Sequence, residues 1–273
     1  MKPYWFTLLT LLLAGAAAAT DENGNRVDAR QLLLASDGNP VTIEISAPQR
    51  LVFDATGGDF VLDGRALILR ADLVELRGNV VLRSHPATDA EAMTGQEGKD
   101  AAPIELAIGE VRPIDGATWT IINDGTDGSA GRRGEQGPTG ATGTAGRPRR
   151  CGRHAKEPTS GGGGGPGGRG GNGGPGGSGG SAADISVSPN LCGGVAGRVL
   201  DFSTRGGRGG AGGEAGLPGA GGPGGKGGFA AWCGPSGDEG SAGPAGQPGS
   251  IGRSGNNGTD AKVSKIGGGT CSA

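Results

Sequence analysis

Large side chains are scarce in this sequence of 273 residues. It contains nine aromatic residues (three Trp, one Tyr and five Phe), and only 33% of the chain is hydrophobic. Three of the aromatic residues, Tyr4, Trp5 and Phe6, lie at the extreme N-terminus. Because a globular enzyme is stabilised mainly by burying apolar side chains, most of this chain cannot be organised around a large apolar core.

An excess of charge of either sign is also missing. The 25 Lys and Arg residues nearly balance the 27 Asp and Glu residues, for a formal net charge of -2. This balance does not indicate a nucleic acid or an anionic membrane as a partner. The two histidines, His85 and His154, are not spaced from another His or Cys as metal ligands are. We therefore predict that the protein is not an enzyme and holds no cofactor.

Long apolar runs are absent except at the start of the chain. Residues 4–13 are almost wholly apolar, follow Lys2, and lead to the alanines at 16–19. This pattern predicts a secretory signal peptide over residues 1–19; a membrane anchor, which needs about 20 apolar residues, is the alternative. We expect an exported chain at the cell surface, in the periplasm or outside the cell. It would have no membrane span after cleavage and would be free to form disulfides.

Residues 20–124 have the pattern of a β-rich domain. Short apolar runs between Pro40 and Ile122 are separated by turn-forming pairs such as Asp63-Gly64 and Gly78-Asn79. Four leucines recur at intervals of 7, 7 and 6 residues, namely Leu62, Leu69, Leu76 and Leu82. This spacing favours successive coils of a β-helix, with a small antiparallel sandwich as the alternative.

Glycine is what the sequence has in abundance, with 64 residues. Fifty-three of them lie in residues 125–273, which we predict to be a separate repeat domain. Eight uninterrupted Gly-X-Y triplets begin at Gly125, residues 161–181 follow a Gly-Gly-X pattern, and further tracts cover 207–230 and 234–260. A strict period of three leaves one side of a threefold extended helix without side chains.

Residues 125–260 resemble the secreted collagen-like proteins of bacteria, and that resemblance implies three chains wound together. The region has only 11 prolines and many extra glycines, both of which weaken a triple helix. The tracts also resemble the polyglycine-II or polyproline-II bundles of glycine-rich antifreeze proteins and phage tail-tip adhesins. On that basis we expect a mainly β and irregular chain: a small β-rich N-terminal domain followed by such a helix bundle, monomeric rather than trimeric. Tracts with two glycines per triplet would lie inside the bundle.

The four cysteines stand near the boundaries between glycine tracts, at intervals of 41, 41 and 38 residues. Four cysteines in an exported chain indicate two disulfides. If successive tracts run up and down, Cys151 and Cys233 fall at one end and Cys192 and Cys271 at the other. We therefore predict the pairs Cys151–Cys233 and Cys192–Cys271.

A basic linker joins the first two tracts. Its arginines are candidate contacts to anionic polysaccharide or lipid headgroups, namely Arg147, Arg149, Arg150 and Arg153. A solvated loop is the simpler interpretation.

The function that these features favour is that of a secreted structural or adhesive protein. It would display a rigid glycine-repeat surface to an extracellular or cell-surface ligand that the sequence does not identify. Two alternatives stay open. The resemblance to antifreeze bundles implies ice binding, for which the small residues Ala141, Thr142, Thr144 and Ala145 are suited; the collagen resemblance implies a homotrimeric triple helix.

Overall fold

A computed structural model describes residues 26–28, 42–87, 94–152, 156–192, 196–229 and 234–271. The predicted signal peptide, His154, Arg153 and Cys233 lie outside these ranges.

Within these ranges, ten β-strands form two parallel sheets. One sheet has the strand order β1-β2-β4-β6-β8-β10 and the other β3-β5-β7-β9, and every neighbouring pair is parallel. The strands are β1 Arg26–Asp28, β2 Thr42–Asp54, β3 Phe60–Val61, β4 Ala66–Arg77, β5 Val80–Arg83, β6 Ile104–Ile114, β7 Trp119–Ile122, β8 Ile185–Val187, β9 Leu200–Ser203 and β10 Val263–Lys265. The helical elements are short: 3-10 turns at Ala55–Gly57 and Pro189–Leu191, and helix α1 at Ala196–Val199.

From β2 onward the chain passes back and forth between the two sheets, so that each strand stacks on the equivalent strand of the previous coil. The predicted leucine ladder lies at the centre: Leu62, Leu69, Leu76 and Leu82 are fully buried. Phe53 packs against Phe60 and Trp119, with ring centroids 5.0 and 4.9 Å apart. Because all the pairings are parallel, the sandwich alternative is wrong for this segment.

Tight turns link β3 to β4 and β4 to β5. Asp63 and Gly64 have φ values of 53° and 72°, and Gly78, between β4 and β5, has 71°. Glycine adopts such left-handed values without the steric cost that a Cβ imposes, which explains why the turn pairs appear in the sequence where the chain changes sheet.

The predicted fold class, a small β-rich N-terminal domain followed by a polyglycine-II or polyproline-II helix bundle, is wrong. Strands β8, β9 and β10 lie in the glycine-rich half of the chain, yet they extend both sheets. Thus β9 pairs with β7 along its whole length, and β8 pairs with β6. The architecture is one set of parallel sheets, and the glycine tracts are long connections within it.

We number four glycine tracts by residue: tract 1 is 125–149, tract 2 is 159–182, tract 3 is 204–229 and tract 4 is 234–261. Tract 1 leaves the end of β7 and tract 2 returns to β8; tract 3 leaves β9 and tract 4 returns to β10. Each pair forms a long hairpin arm, so that the arms are the third side of two successive coils. An extended chain with three residues per turn rises about 3.1 Å per residue, and an arm of about 25 residues is therefore about 75 Å long.

Backbone hydrogen bonds at every third residue join the tracts. Tract 1 pairs in parallel with tract 3, from Gly125 N–H to Arg205 C=O (3.0 Å) up to Arg149 N–H to Phe229 C=O (2.9 Å). Tract 2 pairs in the same way with tract 4, starting with Gly161 N–H to Asp238 C=O (2.8 Å). Antiparallel bonds join tract 2 to tract 1, tract 3 to tract 2 and tract 4 to tract 3. The two arms therefore stack as two layers, with tracts 2 and 3 in the middle.

The number of glycines per triplet matches the number of neighbouring tracts. Tracts 2 and 3, which have two glycines in most triplets, hydrogen-bond to three other tracts each. A Cβ on every glycine of tract 3, as at Gly213 and Gly216, and on nine of the fifteen glycines of tract 2 would lie closer than 3.0 Å to a carbonyl oxygen of a neighbour. Side chains are consequently confined to the outside of the array.

Candidate functional site

The side chains that the arms expose form regular rows, one residue in three. Along tract 3, the exposed row runs from Arg205 to Phe229. Tracts 1 and 4 each carry two such rows, since they have one glycine per triplet. Which rows share a face follows from the contacts between tracts.

One broad face combines a row from each of tracts 1, 3 and 4. Arg208 N–H donates to Asp127 Oδ1 (2.6 Å), and Arg133 lies 3.5 Å from Glu214, which places the row Asp127–Pro148 of tract 1 beside the tract 3 row. On the other side, Gly209 N–H donates to the Oδ1 of Asn257 (2.9 Å). The row that contains Asn257, from Glu239 to Asp260, therefore flanks tract 3. We call these three rows the broad face.

The middle of the broad face is uncharged and made of small or apolar residues. All of them are exposed: Thr139, Thr142 and Ala145 from tract 1, Leu217, Ala220 and Pro223 from tract 3, and Ala242, Ala245, Pro248 and Ile251 from tract 4. Leu217 is 55% exposed and Ile251 75%. Contiguous exposed apolar surface on a soluble protein commonly marks a site of interaction.

Charged residues lie toward the two ends of this face. Near the strands, Arg133 and Glu214 form an ion pair, and at the opposite end Lys226 and Glu239 are exposed. The residues that the sequence suggested for ice binding are divided between rows. Thr142 and Ala145 lie on the broad face, whereas the carbonyls of Ala141 and Thr144 accept hydrogen bonds from tract 2, which places their row on the opposite side of tract 1.

The basic linker is the turn at the tip of the first arm. Arg150 and Lys156 pair as an antiparallel bridge with backbone bonds of 3.1 and 3.0 Å. Arg147 and Arg150 are exposed. Arg149 is not: its side chain is 16% exposed and donates to Glu157 Oε1 at 2.8 Å. The tip thus presents two of the four predicted contacts to solvent and uses Arg149 internally, while Arg153 lies outside the described residues.

A disulfide joins Cys192, after β8, to Cys271, after β10, with a Cα–Cα distance of 5.1 Å. It ties the end of the chain to the previous coil, close to the core cluster that both cysteines contact. Cys151, at the tip, is disulfide-bonded as well. Because Cys233 lies outside the described residues, the pair Cys151–Cys233 stays a prediction.

A groove of about 420 Å³ lies where tract 1 leaves the sheets, lined by residues 83–87 and 124–129 among others. Its polar groups bind neighbouring coils. His85, which is buried, contacts the carbonyl oxygen of Asp100 through Nε2 (3.0 Å), and the carboxylate of Asp124 accepts from the Ser203 hydroxyl and the Arg205 N–H. Asn123, fully buried, donates to the carbonyl oxygens of Ala102 and Ala183. These bonds hold the bases of the arms to the sheets.

Sequence reasoning missed one short tract. Residues 95–101, in a stretch that resembles a polar loop, lie extended against tracts 1 and 2: Gly98 N–H donates to Ser178 C=O (2.7 Å) and Thr126 N–H to Lys99 C=O (3.0 Å). The sequence feature that indicates this tract is the spacing of three between the small residues Gly95, Gly98 and Ala101. It covers only two triplets and is therefore easily overlooked. We call this segment the short tract.

Among the described residues, no group of three or more His, Cys, Asp or Glu side chains is arranged to hold a metal ion. The same residues include no helix with the length and apolar character needed to span a bilayer. Comparison with protein-family models, with curated proteins and with solved structures gives no match.

Proposed function

We propose that the protein is exported and acts outside the cell as a non-enzymatic structural or adhesive protein. Its broad face would bind an extended surface. The observation that carries the proposal is the broad face itself: three parallel rows of exposed small and apolar side chains on a backbone that is hydrogen-bonded at every third residue.

Rigidity is the property that such a face needs. Binding costs less when the contact groups are already ordered, because no conformational entropy is then lost on association. In the arms, glycine backbones of four tracts are held by bonds of mostly 2.7–2.9 Å. The exposed rows are thus presented at a constant spacing.

The packing of the glycines favours a monomer over a collagen-like trimer. A Cβ on each glycine from Gly125 to Gly146 would meet backbone atoms of the same chain at less than 3.0 Å. In a triple helix, those glycines would face two other chains. The exposed Arg147 and Arg150 at the tip are a second contact that we propose for anionic polysaccharide or lipid headgroups.

Adsorption of the purified protein to defined surfaces tests the proposal. Burial of a fully exposed Leu or Ile is worth about 1.5–3 kcal/mol, so we expect Leu217→Asp with Ile251→Asp to weaken adsorption to uncharged methyl- or hydroxyl-terminated surfaces at least tenfold. The matched control is Ser241→Asp with Gln247→Asp, which adds the same charge on the other exposed row of tract 4. A quartz microbalance reports the adsorbed mass. Equal losses in the two double variants, or no adsorption by the unmodified protein, would refute the proposal.

Ice binding is the second candidate, and the uncharged middle of the broad face favours it. Arg132 and Glu135, which would disrupt a flat surface, lie on the other exposed row of tract 1, since their carbonyls accept from tract 2. We expect a thermal hysteresis gap that Thr142→Asp removes if this candidate is right. The absence of any gap in the unmodified protein eliminates it.

A further inference from the structure

The short tract occupies only the first part of a longer groove between tracts 1 and 2. It enters at Ala101, follows the groove over two triplets, and turns away at Gly95, whose φ is 77°. Beyond that point the two walls of the groove continue along the arm for four more triplets. We call this continuation the open groove.

The wall formed by tract 1 offers backbone donors at the same period as under the short tract. There, Thr126 and Ser129 donate their N–H groups to the carbonyls of Lys99 and Gln96 (3.0 and 2.9 Å). The next residues in that row with an N–H group have no hydrogen-bond partner for it within the described part of the chain: Arg132, Glu135, Ala141 and Thr144. Pro138 interrupts the row because proline has no N–H.

The wall formed by tract 2 offers acceptors, and it offers space except where the Pro138 ring and the Thr144 hydroxyl lie against Gly168 and Gly162. The short tract donates to the carbonyls of Ser178 and Ser181, and further along that row the carbonyls of Asn172, Arg169 and Pro166 accept no hydrogen bond from the described residues. The glycines of tract 2 next to these carbonyls also differ in exposure between the covered and the uncovered part of the groove. Gly177 and Gly180, which the short tract covers, are buried, whereas the glycines from Gly162 to Gly174 in that row are half-exposed.

We propose that the open groove binds an extended peptide segment with glycine at every third position. The short tract defines this chemistry, since Gly95, Gly98 and Ala101 are its small residues and a Cβ at Gly98 would lie closer than 3.0 Å to the Thr126 carbonyl. A bound segment continues an interface that the chain already makes. Main-chain hydrogen bonds then supply affinity and the period of three supplies specificity, as in strand addition to a sheet edge.

The charged residues along the groove favour acidic side chains at the other two positions of each triplet in the bound peptide. Arg132, Arg147 and Arg169 lie on the rows that border it, against one acidic residue, Glu135. The short tract carries two acidic residues, Glu97 and Asp100, and one basic residue, Lys99, at such positions. Acidic residues between the small ones therefore suit the groove. This proposal does not depend on surface binding by the broad face.

The test uses the full mature protein and the labelled peptide (Gly-Gln-Glu)5, which repeats the triplet Gly95-Gln96-Glu97, in a fluorescence anisotropy titration. The control peptide (Val-Gln-Glu)5 has the same charge and length. We expect at least tenfold weaker binding of the Val peptide, because its branched side chains cannot approach the tract backbones. Equal binding of the two peptides, or no binding of either at millimolar concentration, overturns the proposal.

A pair of glycine variants locates the site. A Cβ at Gly165 or Gly174 would lie 3.1 or 3.3 Å from a tract 1 amide nitrogen, a contact that a shift of a few tenths of an ångström relieves. Gly165→Ala with Gly174→Ala should therefore keep the fold and weaken binding of the Gly peptide at least tenfold. Gly163→Ala, whose Cβ would face Ser241 across to tract 4 at 3.6 Å, is the matched control and should bind normally.

Hydrogen exchange on the unmodified protein keeps the test decisive if the double variant does not fold. The Gly peptide should slow exchange of the amides of Arg132, Glu135, Ala141 and Thr144 at least tenfold, and the Val peptide should not. Unchanged exchange at these four amides overturns the proposal. A concentration-dependent dimer that the Gly165→Ala, Gly174→Ala variant abolishes would also overturn it, in favour of a second copy of the chain.

Discussion

The substitution Gly225→Ala adds one methyl group at a point where tract 3 contacts three other tracts, and it should push these tracts apart. The N–H of Gly225 donates to Gly162 in tract 2 and its carbonyl accepts from Gly240 in tract 4, both at 2.8 Å. A Cβ there would also lie closer than 3.0 Å to the carbonyl of Thr144 in tract 1. Because all of these neighbours are backbone, none can rotate away as a side chain does. The tracts must move apart.

The cost of Gly225→Ala follows from the two effects. Overpacking costs about 1–3 kcal/mol, and the two backbone hydrogen bonds that lengthen or break contribute about 1 kcal/mol each. We therefore expect the free energy of unfolding to fall by about 3–5 kcal/mol. Urea unfolding followed by circular dichroism and by tryptophan fluorescence measures this quantity and shows whether the arms and the sheets unfold together.

The matched control is Gly163→Ala, the same chemical change in tract 2 at an outward position. Its Cβ would lie 3.6 Å from the Ser241 hydroxyl, which is ordinary van der Waals contact. Alanine restricts the unfolded chain more than glycine does, so the variant should be unchanged or up to about 1 kcal/mol more stable. If the free energies of unfolding of Gly225→Ala and Gly163→Ala differ by less than about 0.5 kcal/mol, the close packing of the tracts is refuted.

Two further stability predictions concern the junction between arms and sheets. Asn123→Ala should cost about 2–4 kcal/mol, because the carbonyl groups of Ala102 and Ala183 on successive coils lose the donor that the fully buried Asn123 supplies; thermal unfolding checks it, and a midpoint equal to that of the unmodified protein contradicts it. Replacing Cys192 and Cys271 together by Ser should cost about 4.5 kcal/mol on the chain-entropy model for a loop closed across 79 residues. Unfolding of this variant and of the unmodified oxidised protein in urea gives the difference, and a loss below about 1 kcal/mol would show that the disulfide is not a structural brace.

Local patterns predicted the individual coils well. The leucine spacing and the turn pairs around Asp63-Gly64 and Gly78-Asn79 lie where the structure has its core ladder and its corners. Both signals act over fewer than ten residues, a range in which periodicity and turn chemistry are decided by neighbours in sequence. The wider architecture depends on contacts of another kind.

The pairing of β7 with β9 joins residues 81 apart, from Trp119 and Leu200 onward. Strands of three or four residues carry little sequence signal, and the glycine period between them is so strong that it suggested a unit apart from the sheets. The broad face was equally hidden. Its rows come from three tracts, and only the register between tracts places Leu217 and Ala245 on one surface.

The two arms differ in length by one triplet at their tips. Tract 1 pairs with residues 80 positions later, whereas tract 2 pairs with residues 77 positions later. The connection from tract 3 to tract 4 is therefore three residues shorter than its counterpart, and every glycine downstream remains in register. Insertions or deletions of one or two residues would instead set side chains against backbone along a whole tract. The length of the arms can consequently change only in steps of one triplet per tract, about 9 Å each. Adding one triplet to each of the four tracts would lengthen both arms and keep every contact between the tracts.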